Sequence, residues 1–224
     1  QMDAVRPGLL LSVALGPSPE MYGDADLVRL GALVDQAGLM TYDFNGPWSS
    51  TTGLIAPLTS DSPDDGSVEH SVTAWKAAGL PAHKLLMGLP FYGYGWRQVS
   101  GENHGFGQDG MPIRGDRPYR FIQSLIPPST PQANSATDGS AVVYRDPVSQ
   151  APWLYDGSSF WTYEDQVSIQ TKGSYAAREQ LGGFMVWELS GDTVDGSLLK
   201  AARVALEQGP GSTHVHSTKA AMRP

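Results

Sequence analysis

Four short apolar runs bounded by breakers recur along the chain: "LLLSVAL" from Leu9, "LMTYDF" from Leu39, "LLMGLPF" from Leu85 and "GFMVWEL" from Gly183. Runs of this length and punctuation read as buried strands. Helical patterns lie between them. Asp24 can cap "ADLVRLGALVDQ", Ser67 can open "VEHSVTAWKAAG", and "DGSLLKAARVALEQG" ends the fold with Gly209 as its stop. Strand and helix in alternation predict an α/β protein whose parallel sheet is covered by helices. With starts at 9, 39, 85 and 183, the first two intervals, 30 and 46 residues, suit strand–helix units, whereas the third, 98 residues, is too long. Between Tyr92 and about Tyr163 the chain is rich in Gly, Pro, Ser and aromatics, with β-like pieces such as "AVVYRD" and "APWLYD". A small α+β subdomain is therefore expected there, inserted at the edge of a barrel or sheet.

Composition narrows the partners. A chain of 224 residues can bury one sizeable core, alone or with a subdomain. The formal charge of −8 argues against nucleic acid or an anionic membrane, which need clustered Lys and Arg. An uncharged polymer is compatible with it. The chain has no cysteine, so a disulfide framework, a thiolate nucleophile and a thiolate metal site are excluded. No apolar run approaches the roughly 20 residues that span a bilayer. Pro7-Gly8 and Gly16-Pro17 frame the first run as strand punctuation rather than as a signal peptide. Compartment is therefore left open by the residues themselves. The tail, 210–224, is loop-like and expected to be disordered; His214 and His216 there lack a third ligand, so no metal is expected.

Cofactor motifs are also missing. Gly105, Gly107 and Gly110 spell G-x-G-x-x-G, but no strand precedes them and Pro112 follows, so a loop is the reading and no cofactor is expected. Tyr42 and Asp43 differ, because both fall at the carboxyl end of an expected strand, where parallel α/β folds place their chemistry. By strand alternation Met40 and Tyr42 share a face, with Asp43 beside them at the rim. Trp48 follows on the next loop. Trp187 lies inside the last strand run, and Tyr92, Tyr94 and Trp96 in "PFYGYGW" follow the third. Each of these could be core. Aromatics at the same rim of several strands are better explained by a groove that stacks pyranose rings.

The elements "LMTYDFNGPW", "HKLLMGLPFYGYGW" and "YEDQVSIQTKGSYAAREQLGGFMVWELSGD", with the insertion between the last two, resemble the family 18 glycoside hydrolases, specifically chitinases with an α+β insertion before the last barrel strand. The resemblance covers most of residues 9–208. It implies the second half, strands 5 to 8, of a (β/α)8 TIM barrel formed by 1–92 and 163–209, with 93–162 as the insertion subdomain. It further implies that Met40, Tyr42 and Asp43 line the subsite where the bond breaks, that Trp48 flanks the leaving-group side and that Trp187 floors the cleaved sugar. Near Tyr94 the family often carries an arginine, a departure that concerns the contacts there. The partners implied are chitin or chitooligosaccharides, and the setting implied is secretion. Such enzymes use the substrate's own 2-acetamido oxygen as nucleophile. A phenol such as Tyr42 can bind that group, and a carboxylate such as Asp43 can offset the developing positive charge.

One part of the family pattern is missing: its acid comes from a D-x-x-D-x-D-x-E segment, and no such segment occurs in these 224 residues. A full barrel of this kind takes about 250 residues. Three readings follow. The chain is the C-terminal part of a chitinase whose acid lies elsewhere, or a non-catalytic chitin-binding module, or a hydrolase with another acid, for which Glu188 and Asp192 are the candidates. Half a barrel would leave two apolar strand edges open, so either an N-terminal half or a two-fold dimer is expected to close them.

Overall fold

The computed structural model describes residues 5–61, 66–127 and 140–207, and the expected disordered tail with His214, His216 and the Gly209 stop lies outside them. Two sheets form. The first is parallel, with β1 (Ser12–Leu15), β2 (Gln36–Leu39), β3 (Leu85–Pro90) and β10 (Gly183–Trp187) side by side in that order. Helices α1 (Leu27–Leu33), α2 (Val68–Ala77), α4 (Gln166–Arg178) and α5 (Ser197–Glu207) run between and after these strands. The fold is thus TIM-barrel-like α/β, but among the described residues the parallel sheet is open and does not close into a barrel, with β1 and β10 at its edges.

The second sheet is antiparallel. Strand β4 (Tyr92–Arg97) leaves β3 after one residue and pairs with β5 (Met111–Pro112), β6 (Arg117–Pro118) and β9 (Phe160–Thr162). Beyond β9 come β8 (Pro152–Tyr155) and β7 (Val142–Arg145), and the short α3 (Tyr119–Ser124) follows β6. Gly105, Gly107 and Gly110 lie in the loop between β4 and β5.

Two local expectations shift. Asp26, not Asp24, caps α1, its carboxylate accepting from Arg29 N at 2.9 Å. The second strand ends at Leu39 instead of continuing through Phe44. Its cause lies in Thr41, whose hydroxyl accepts from Gly88 N at 3.0 Å and donates to Gly88 O at 3.1 Å. A side chain thus replaces the strand ladder beyond Met87. Glycine is required opposite, since a Cβ on Gly88 would lie 2.4 Å from Leu39 O. Ser67 caps α2 as expected, accepting from His70 N at 3.2 Å.

The core divides with the sheets. Leu15, Leu39, Met87 and the fully buried Trp75 pack under the parallel sheet, and Trp75 Nε1 donates to Gly16 O at 2.9 Å. A second, aromatic cluster joins Tyr42, Tyr92, Tyr94, Trp96, Trp153 and Phe160 across both sheets. A lobe boundary this rich in large side chains supplies contact area over which small displacements are felt.

Candidate active site

The carboxyl ends of β2, β3 and β10 fall together because the three strands are parallel and adjacent. Past β2 the chain presents Met40, Tyr42 and Asp43; past β3 come Tyr92 and Tyr94; β10 ends on Trp187, in register with Pro90. Leaving the strand at Thr41 frees Asp43 to take a left-handed backbone, φ 62°. Aspartate tolerates that region better than most residues.

Asp43 is exposed as a residue, yet its carboxyl group turns in among phenols. Tyr92 OH donates to Asp43 Oδ1 at 2.6 Å. Loss of solvent raises the Asp43 pKa above its ordinary value, while hydrogen bonds from Tyr92 and Tyr94 work against the rise and Asp116 adds to it. Burial, helped by the Asp43 charge, pushes Tyr42 up to about 12, so at neutral pH its hydroxyl keeps the proton. Tyr92 and Tyr94 are raised as well, again mainly by burial and then by Asp43. The site therefore holds one carboxylate among three protonated phenols.

Aromatic edges link these groups: Tyr42 to Tyr92 at 6.1 Å, Tyr92 to Tyr94 at 5.7 Å and Tyr94 to Trp48 at 5.5 Å between centroids. Met40 is half-buried against the same cluster. Trp48, although edge-on to Tyr94, and Trp187 remain 61% and 58% exposed. Exposed indoles beside a polar rim are available faces for a sugar.

Trp96 departs from the expected rim. It shares a face with Tyr92 and Tyr94 but lies farther along β4, where it is fully buried, packs on Phe160 at 5.8 Å and donates from Nε1 to Ser49 O at 2.9 Å. It offers no face to a ligand and instead ties β4 to the loop carrying Trp48. Asp192 also departs from its expected candidacy as an acid. Its oxygens accept from the backbone N–H of Thr193 at 2.7 Å, Leu198 at 3.1 Å and Leu199 at 2.9 Å, which makes it the anionic cap of α5. Glu188 remains exposed and accepts from the Ser190 hydroxyl.

Three groups were not singled out from sequence. Thr41 sets the turn, Asp116 acts on Asp43 through its charge, and Lys172 with Glu164 forms a fully buried ion pair. Lys172 Nζ also donates to Ala56 O at 2.7 Å, and Thr162 Oγ1 accepts from Ile55 N at 2.8 Å, so α4 and β9 together hold the segment that follows Trp48. The available signal was Lys172 itself, which falls between Ile169 and Ala176 on the buried stripe of α4. Among the described residues no group of three or more His, Asp or Glu is placed to hold a metal ion.

Comparison with known proteins bears on this geometry. The model of the family described as glycosyl hydrolases family 18 matches residues 2–192. Chitinase A1 of Niallia circulans is 33% identical over 194 residues, which are 82% of this chain and 28% of that protein. A class V chitinase of Arabidopsis thaliana is 32% identical over 214 residues, 93% of this chain and 54% of that one. A class V chitinase variant from Nicotiana tobaccum, solved in complex with NAG4, superposes with a TM-score of 0.78 at 28% identity, covering 91% of this chain and 58% of its own. The chain thus spans only about a quarter to three fifths of these relatives.

Proposed function

Because the chain belongs to the glycosyl hydrolases of family 18, we propose that its rim binds β-1,4-linked N-acetylglucosamine oligomers and arranges them for substrate-assisted cleavage. The observation that carries this is the Asp43 carboxylate, 2.6 Å from the Tyr92 hydroxyl and next to Tyr42, past the end of a parallel sheet that also leaves the indoles of Trp48 and Trp187 exposed. Trp187 floors the sugar whose bond is cleaved, Trp48 flanks the leaving-group side, and Met40, Tyr92 and Tyr94 shape the wall between them.

The chemistry follows from the protonation states. Tyr42, raised to about 12, is a hydrogen-bond donor at neutral pH and can hold the acetamido group. The acetamido oxygen attacks the anomeric carbon, the glycosidic C–O bond breaks, and the positive charge of the resulting oxazolinium ion faces Asp43. Water then opens that ion and restores the anomeric configuration. The departing oxygen needs a proton, and no D-x-x-D-x-D-x-E segment in these residues supplies it. General acid catalysis is commonly worth roughly 10²–10⁴-fold, so we assign this chain binding and positioning, with the acid supplied by residues outside it.

In the same proposal, 93–162 is the chitinase-type insertion, and 1–92 with 163–209 is one half of a barrel. The edges at β1 and β10 are then closed by the strands of the other half. A secreted setting belongs to this reading, as the family resemblance implies.

Calorimetric titration with an N-acetylglucosamine tetramer tests the binding half. Wild type is expected to bind, and Trp187→Ala to bind about tenfold more weakly, a loss of about 1.4 kcal/mol. Equal affinity for both would overturn the stacking role of Trp187.

A further inference from the structure

Residues 52–58 are all buried, yet they belong to no helix or strand. Their backbone donors and acceptors therefore need partners from elsewhere. At its two ends the segment is held by main chain. Thr52 N donates to Gln108 O at 2.9 Å, and Pro57 O and Leu58 O accept from Val68 N at 3.0 Å and Glu69 N at 2.9 Å, at the start of α2. The middle is fixed by two side chains: Ile55 N donates to Thr162 Oγ1 at 2.8 Å, and Ala56 O accepts from Lys172 Nζ at 2.7 Å.

The same middle residues hold the turn at the rim. Ile55 O accepts from Phe44 N at 3.0 Å, and Leu54 O accepts from Asn45 Nδ2 at 2.9 Å. Both donors belong to the two residues directly after Asp43, whose backbone takes the left-handed φ of 62°. The path from Lys172 Nζ to Asp43 is thus one hydrogen bond to Ala56, one peptide to Ile55 and one hydrogen bond to Phe44.

A buried ammonium is a costly way to satisfy one carbonyl. Lys172 and Glu164 are both fully buried, and apolar residues of similar volume often replace such a pair without loss of stability. What the ammonium adds is a charge-assisted bond, roughly twice as strong as a neutral one. Its own place is fixed as well, because the Glu164 carboxylate accepts both from Lys172 and from the Ser168 hydroxyl.

We infer that Lys172, together with Thr162, is a positioning residue for Asp43. Helix α4 and strand β9 fix residues 54–56, and these fix the turn that aims the Asp43 carboxylate among the phenols. The effect on sugar binding rests on the function proposed above, whereas the coupling from Lys172 to Asp43 does not.

Carbon-13 NMR titration of the Asp43 carboxyl group, with affinity for an N-acetylglucosamine tetramer measured alongside, tests both. In wild type the carboxyl should titrate above its ordinary value, since burial outweighs the hydrogen bonds from Tyr92 and Tyr94 and the Asp116 charge adds to it. Thr162→Val and the double variant Lys172→Met/Glu164→Gln should each move it back toward the ordinary value, as water reaches the loosened turn, and weaken tetramer binding at least fivefold. Thr162→Ser, which retains the hydroxyl, should restore both. A purely structural role would lower Tm and leave the Asp43 titration where it is. An unchanged titration in either variant overturns the inference, and one variant suffices if the other does not fold. A titration that moves, in a protein whose wild type binds no tetramer, would support the positioning role while refuting the rim reading.

Discussion

The two sheets of this molecule are covered to different extents. In the antiparallel lobe, all of β8 and β9 is buried, and Phe160 packs on Trp96 at 5.8 Å and on Trp153 at 6.3 Å. In the parallel sheet, β1 reads exposed, half-buried, exposed, buried, and the residues leading into it, Leu9, Leu10 and Leu11, are 39%, 73% and 39% exposed. An antiparallel sheet can complete itself from local hairpins, whereas a parallel one draws strands from distant sequence and has both faces covered when whole. The parallel sheet, whose rim carries most of the proposed sugar site, packs through the shared aromatic cluster against the antiparallel one.

The largest effect should come from the junction between them. Lys172→Met leaves Glu164 charged or protonated in a fully buried site without its partner and releases Ala56 O, at an expected cost of about 3–5 kcal/mol in denaturant unfolding. Pairing it with Glu164→Gln should recover much of that loss. A single-variant loss below about 1 kcal/mol would show that the lobes do not depend on this contact.

Thr41→Val comes next. It strands both the N–H and the carbonyl of Gly88 and should cost about 1–3 kcal/mol. It should also weaken tetramer binding, because the turn that places Tyr42 and Asp43 loses its anchor. Stability lost with binding intact would separate the two roles.

Hydrogen exchange addresses the comparison without mutation. Amides of β8 and β9 should exchange at least about 100-fold more slowly than those of β1, since opening free energies follow local burial. Equal protection would contradict the asymmetry.

The smallest effect is a pH dependence at Asp43. Its folded-state pKa is raised above the ordinary 3.8, so the folded protein holds this proton more tightly than the unfolded chain. The associated stability is complete below the unfolded value and is lost as pH rises through the folded one. Asp43→Asn, which tolerates the same φ, removes that dependence. Its stability relative to wild type should rise from acidic to neutral pH, and a flat difference would refute the assignment.

Much of this was legible in the residues. The apolar runs from Leu9, Leu85 and Gly183 contained β1, β3 and β10, whereas the run from Leu39 shares only its first residue with β2; Tyr42, Asp43, Trp48 and Trp187 were singled out for lying past or at the expected strand ends. Trp96 was misplaced because the alternation that sets it on one face with Tyr92 and Tyr94 does not tell what covers that face farther along β4, where Phe160 and the Ser49 loop bury it. Asp192 was misread because a carboxylate that caps a helix and one that donates a proton look alike until the backbone N–H groups around it are known. The buried pair was hidden for a simpler reason: Glu164 precedes α4 and Lys172 lies eight residues on inside it, so they meet through none of the three- or four-residue spacings that a helix makes readable.

The decisive measurement is incubation of the purified chain with an N-acetylglucosamine tetramer, with retention followed by equilibrium dialysis and products by mass spectrometry beside a full-length family 18 chitinase. Binding with cleavage at least about 100-fold slower than that enzyme is the predicted result, since the general acid is missing from these residues. Products at a comparable rate, or a tetramer that is not retained at all, would contradict it.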